Sequence, residues 1–190
     1  LEEACQVLKA LWTQPRANFT GKYYSLEDAP LMPKPVQRPH PELMIGGGGE
    51  KVTLRIAARH ADHWNVWGGP VTLAQKGKIL EEHCAAVGRD PATILRSANM
   101  ALVMSEDPAE IEKVQRLYMA RLGADEAKAR DTVLGGSVAQ IFDTLGRLAA
   151  AGVGMFFIPT MFLPRERRPV LDRFMAEVAP AFRAVPGARP

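Results

Sequence analysis

"MIGGGGEKVTLRIAARHADHWN" runs from Met44 to Asn65, with four consecutive glycines, Gly46 to Gly49, between an apolar segment and a helical pattern. Glycine is a poor choice inside either a strand or a helix, because it loses the most backbone freedom on folding. Its place is where the backbone must turn sharply or approach another group closely. The segment therefore reads as strand, glycine turn, helix. Leu43 to Ile45 is the expected strand, and Val52 to His60 the expected helix, with Leu54, Ile56, Ala57 and Ala58 as its apolar positions.

The same rhythm continues downstream. His63 to Trp67 reads as a second strand, Val71 to Val87 as a second helix and Arg96 to Met104 as a third strand. Asp107, Pro108 and Glu110 form an N-cap, a first-turn proline and a capping-box acid. Helices are expected from there to about Ala151, with a second capping box at Ser137 and Gln140 before Ile141, Leu145 and Leu148. Val153 to Pro159 is uniformly apolar, which suits a strand buried on both faces. A last helix carries Leu171, Phe174, Met175, Val178 and Phe182 on one side. Four strand–helix steps imply an α/β fold with a parallel sheet, either an open doubly wound sheet or part of an eight-stranded barrel.

Upstream, Leu1, Ala4, Leu8, Leu11 and Trp12 recur at helical spacing. Six prolines between positions 14 and 41 exclude regular helix there, and Phe19 to Tyr24 suits a short hairpin around Gly21. The 190 residues are 47% hydrophobic and 24% charged, a composition able to bury a sizeable core. A net charge of +3 is scattered, and Arg165, Arg167 and Arg168 have no aromatic platform beside them, so a solvated helix start is expected rather than a nucleic-acid surface. No apolar run is long enough to cross a bilayer as a helix, and the reading is of no membrane association. Cys5 and Cys84 alone make neither a disulfide framework nor a zinc site, so a reducing cytoplasm is expected.

In parallel α/β folds function sits beyond the carboxyl ends of the strands, where the glycines lie. Bare backbone there lets several N–H groups converge on one small anion, and a following helix adds its positive end. The run lacks the third glycine of the dinucleotide fingerprint and the Gly-Lys-Ser/Thr ending of the nucleotide P-loop. It reads as a phosphate cradle, with a flexible unliganded turn as the alternative. Asn65 and Trp67, just past the second strand, are placed to face substrate, though Trp64 and Trp67 suit packing better. His60 and His63 are three apart without further ligands, so no metal is expected, and His63 suits a capping or exposed role better than that of a proton donor. Glu50 and Lys51 suit a solvated helix start. No nucleophile elbow or carboxylate pair stands out, so the catalytic residues are not assigned.

"PKPVQRPHPELMIGGGGEKVTLRIAARHADHWN" resembles the luciferase-like family of flavin- and deazaflavin-dependent oxidoreductases, in particular the branch using coenzyme F420. "GKYYSLEDA", "GRDP" at Gly88 to Pro91 and "GSVAQIFDTLGRLAAAGV" fit the same branch, with Ser137-Val138 in place of the usual Thr-Pro. The resemblance implies the C-terminal half of a (β/α)8 barrel, about four strands of a fold that takes about 250 residues when complete. It implies one partial luciferase-like domain over residues 1–190, without the half that carries much of the ring pocket and many catalytic groups. Gly48 and Gly49 match the backbone that holds the cofactor phosphate, and Gly46 and Gly47 shape the strand exit. The implied activity is hydride transfer between F420 and an unidentified small organic substrate. FMN-dependent monooxygenation is the alternative cofactor reading, and a truncated non-catalytic half-barrel the alternative class. Open strand edges favour a homo-oligomer.

Overall fold

The computed structural model describes residues 1–182. In chain order its elements are α1 (Glu2–Thr13), β1 (Arg16–Thr20), β2 (Ser25–Pro30), β3 (Met44–Gly46), α2 (Thr53–His60), β4 (His63–Trp67), α3 (Pro70–Ala86), β5 (Leu95–Asn99), β6 (Ala101–Val103), α4 (Pro108–Leu122), α5 (Glu126–Thr132), β7 (Val133–Gly135), α6 (Val138–Ala150), β8 (Met155–Phe157), α7 (Arg168–Glu177) and α8 (Ala179–Phe182). The chain divides into two compact units. The first is Leu1–Trp64 with Leu80–Ile94, and the second is Asn65–Ile79 with the described residues from Leu95 on.

In the first unit α1 buries Cys5 and Val7, while Leu1 and Leu8 of the expected apolar stripe stay exposed. The region expected to be irregular holds a longer hairpin than Phe19 to Tyr24. β1 and β2 pair antiparallel, Arg16 opposite Pro30 and Thr20 opposite Ser25. The Glu3 carboxylate fixes its turn by accepting the amides of Lys22, Tyr23 and Tyr24. Those bonds, that from Tyr23 first, hold the Glu3 carboxyl below its usual range. α2 buries Leu54, Ile56, Ala57 and Ala58, the four apolar positions of the sequence pattern. The Lys9 ammonium donates to the His60 carbonyl near the end of α2, and Arg89 donates to Ala58 O.

In the second unit the Asn65–Trp67 part of β4, β5 and β8 lie side by side in that order. β5 and β8 are parallel, with Ser97 beside Met155 and Asn99 beside Phe157. The single third strand of the sequence reading is broken at Met100 into β5 and β6. β6 pairs instead with β7, in parallel, Ala101 beside Val133 and Val103 beside Gly135. β7 lies within the stretch read as a succession of helices, where no strand was expected. The caps fall where the sequence puts them: Asp107 accepts the Ala109 amide with Pro108 in the first turn, and Ser137 with Gln140 closes a full capping box. Asp107 has no reciprocal bond from Glu110, whose expected capping-box role is not among the bonds at that cap.

The Val153 to Pro159 strand is shorter, Met155–Phe157, and is not buried on both faces. Phe156 faces α7, its ring 5.7 Å from that of Phe174 and nearly perpendicular to it. Met155 and Phe157 on the opposite face are 42% and 37% exposed. The core of this unit gathers Ala101, Val103, Tyr118, Ala129, Val133 and Phe162, with Trp67 packed against it. Met175 of the expected α7 stripe is exposed. Among the described residues no helix is long and apolar enough to cross a membrane.

Candidate functional site

The glycine junction lies in the first unit. Gly46 ends β3, Gly47 to Gly49 form an open loop, Glu50 to Val52 make a turn, and α2 begins at Thr53. Gly47 has φ of +121°, a conformation that L side chains rarely adopt. Its carbonyl accepts the indole N–H of Trp64 at 2.9 Å, and the Gly49 carbonyl accepts the Leu54 amide at 2.9 Å. A Cβ on Gly49 would stand 2.8 Å from Thr53 Oγ1, so that hydroxyl lies directly over the loop. A Cβ on Gly46 would meet nothing within 4 Å. No side chain caps α2 at Val52, and its first turn carries no acid. Lys51 is exposed. An exposed glycine loop, a hydroxyl over it and an acid-free helix start suit an anionic group.

The second unit contains a junction of the same design, which the sequence reading passed over. Gly48-Gly49-Glu50-Lys51-Val52-Thr53-Leu54 is echoed, one residue shorter, by Gly68-Gly69-Pro70-Val71-Thr72-Leu73 at the end of β4. Here too the threonine crowds the glycine, Thr72 Oγ1 lying 3.0 Å from a Cβ placed on Gly68. This second junction holds an anion from the chain itself. The Asp131 carboxylate accepts the amides of Gly69, Val71 and Thr72, each at 3.0 Å. Lys128 completes the arrangement by donating to the Trp67 carbonyl and to Thr72 Oγ1. Burial pulls the Lys128 ammonium below its ordinary value, with Asp131 opposing that shift.

Asn65 and Trp67 share one face of β4, two residues apart. Asn65 Nδ2 donates to the buried Ser97 Oγ at 2.8 Å, and Asn65 Oδ1 accepts from Asn99 Nδ2 at 2.6 Å. Neither Ser97 nor Asn99 was singled out from sequence. The available signal was two small polar residues at i and i+2 of one strand, either side of Ala98. The Trp67 ring packs at 5.8 Å from Tyr118 and 5.7 Å from Phe162. His63 is buried, and its burial holds the imidazole below its ordinary value. His60 is lowered for the same reason, with Glu2 3.7 Å away. Among the described residues no group of three or more His, Cys, Asp or Glu is placed to hold a metal.

The sequence model of the luciferase-like monooxygenases matches residues 1–184. The chain belongs to the luciferase-like monooxygenase family. Among its luciferase-like relatives, the FMNH(2)-dependent dimethylsulfone monooxygenase of Pseudomonas putida is 40% identical over 109 residues, covering 57% of this chain and 29% of that protein. The F420-dependent glucose-6-phosphate dehydrogenase of Kineococcus radiotolerans is 34% identical over 127 residues, 62% of this chain and 35% of that protein. The chain thus spans about a third of the length of the curated relatives it matches. A solved F420-dependent secondary alcohol dehydrogenase superposes with a TM-score of 0.75 at 18% identity, over 99% of this chain and 61% of that one. At that identity the likeness shows the fold, which is the α/β fold of parallel strands and helices expected of luciferase-like (β/α)8 enzymes. The family inferred from the glycine motif is the family found, and its members include enzymes using F420 and enzymes using reduced FMN.

Proposed function

We propose that this chain supplies the cofactor-phosphate loop of an oxidoreductase that moves hydride between coenzyme F420 and a small organic substrate. The observation that carries the reading is the pair of matching glycine junctions. The second binds a carboxylate through three backbone amides, which supports assigning an anion, the cofactor phosphate, to the first. Gly48 and Gly49 would hold that phosphate by backbone, and Thr53 Oγ1 would add a hydroxyl. Gly46 and Gly47 set the strand exit, and the Trp64 indole pins the loop through the Gly47 carbonyl. When bound, the deazaflavin supplies a two-electron hydride carrier, whereas a reduced flavin supplies oxygen activation. The chain's own part is to bind and orient.

The choice of F420 rests on the resemblance carried by "YYSLEDA", "PKPVQRPHP" and "IGGGGEK", together with the F420-dependent relatives. FMN is the second reading, favoured by the 40% identity to the FMNH(2)-dependent dimethylsulfone monooxygenase. A cytoplasmic location and association into homo-oligomers belong to the same proposal, the latter because an exposed strand edge invites pairing. The test is fluorescence-quenching titration of the chain with F420 and with FMN, for the native protein and for Gly49→Val. The expected result is F420 binding that is weaker in folded Gly49→Val. FMN binding without F420 binding overturns the cofactor choice. Unchanged affinity in folded Gly49→Val overturns the phosphate loop.

A further inference from the structure

One face of the β4-β5-β8 group is free of charge. Because Phe156 packs on Phe174 of α7, Met155 and Phe157 point to the other face. The parallel register puts Ser97 and Asn99 on that same face, and the two Asn65 hydrogen bonds add β4 to it. By the alternation of each strand, no Asp, Glu, Lys or Arg stands on it. The face therefore offers the amides of Asn65 and Asn99 flanked by a thioether and an aromatic ring, the latter two left well exposed.

We infer that Asn99, held by Asn65 and Ser97, is a specificity-determining residue that reads a small neutral ligand presenting a carbonyl and an N–H side by side, as imides and lactams do. Ser97 is buried and anchors Asn65 Nδ2, and Asn65 Oδ1 takes one Asn99 N–H. This fixes the Asn99 amide plane. Its oxygen and its second N–H form a donor–acceptor pair, the complement of an imide or lactam edge. Asn99 is the last residue of β5, at the carboxyl end where α/β enzymes bind their substrates. Absence of charge on the face selects a neutral group, since a charged one would lose hydration with no counter-charge in return. Met155 and Phe157 cover the ligand's apolar body.

The assignment of this strip to substrate rests on the oxidoreductase reading above; its test does not depend on the phosphate loop. Two molecules can present such an edge, a substrate and the ring of a flavin, and the arms separate them. The chain is titrated with glutarimide and with N-methylglutarimide, following the side-chain amide resonances of Asn65 and Asn99. Parallel titrations use FMN and FMN methylated at the ring imide nitrogen. The expected result is glutarimide binding about tenfold or more tighter than its N-methyl analogue, because a built hydrogen-bond pair rejects a ligand that cannot complete it. Asn99→Leu and Asn99→Ala, which remove the acceptor for the ligand N–H, should each erase that preference, while FMN affinity ignores methylation. A preference seen only with FMN places the ring there and overturns the substrate assignment. Equal binding of the two glutarimides with FMN indifferent, or a preference that survives in folded Asn99→Leu, overturns the inference. So does a shift of these resonances with protein concentration alone, which marks the face as a contact between copies.

Discussion

The Trp64 indole N–H donates to the Gly47 carbonyl at 2.9 Å, and Trp64 is fully buried. A core aromatic of β4 thereby holds the backbone of the glycine loop at a position where φ is +121°. The bond joins packing to function, since the ring supplies burial and its polar edge fixes the loop. Trp64→Phe keeps an aromatic ring but removes the donor and some volume. We expect a loss of about 1–3 kcal/mol by chemical denaturation, and faster hydrogen exchange at the Gly48 and Gly49 amides. An unchanged exchange rate would show that the loop holds its shape without the indole.

Adjacent glycines of the run should respond oppositely to a methyl group. At Gly46 a Cβ meets open space, so Gly46→Ala should leave thermal stability unchanged or slightly raised. At Gly47 the positive φ makes the same change cost about 1–3 kcal/mol. Melting curves of the two variants side by side decide this; equal effects would refute a left-handed requirement at Gly47.

Much of this was legible because its signals are local. His63 to Trp67 is a strand to the residue, and Ser137 with Gln140 forms its capping box, because alternation and capping act within a few residues. β7 was not legible. Val133-Leu134-Gly135 is three residues long and follows the helix-forming run Glu126-Ala127-Lys128-Ala129-Arg130, so only its parallel partner Ala101–Val103 makes it a strand. The break at Met100 has the same origin, since the two halves of one run read as a strand pair with different neighbours. The exposed face of β8 misled through composition: Met155 and Phe157 are apolar but do not pack inward. The Asn65–Ser97–Asn99 chain needs two strands in register, and one sequence does not state a register.

Acid should destabilise the chain through its buried imidazoles. Burial lowers the folded-state values of His60 and His63 below the ordinary 6.5. Above that value both states are neutral and the histidines add no pH dependence. As pH falls below about 6.5 the unfolded chain takes up protons first, so stability declines until the lowered folded values are passed. Urea midpoints between pH 8 and pH 5 should fall in that lower window, and His63→Gln should flatten the decline. A native profile that stays level down to pH 5 would contradict the burial argument.

The carboxylate of Asp131 ties α5 to the start of α3 through three amides, with its neighbour Lys128 on the Trp67 carbonyl. The packing leaves no slack, since a Cβ on Gly69 would collide with the Asp131 carbonyl oxygen. Asp131→Ala leaves those amides without their acceptor and should cost about 1–3 kcal/mol at neutral pH. It also removes the charge that opposes the burial-driven lowering of Lys128. The Lys128 value should therefore fall further below the ordinary 10.5 in the variant. The sign follows from the unfolded chain keeping the higher affinity for that proton. The Lys128 part of the variant's deficit is full at neutral pH and shrinks as pH rises through the lowered folded value toward 10.5. Two measurements check the account. Denaturant midpoints of both proteins should converge partly between pH 8 and pH 10.5, and acylation of Lys128 should set in at lower pH in Asp131→Ala. A deficit that does not change with pH, with Lys128 reacting alike in both proteins, would show that Asp131 acts only as a helix cap and not as the partner that keeps Lys128 charged.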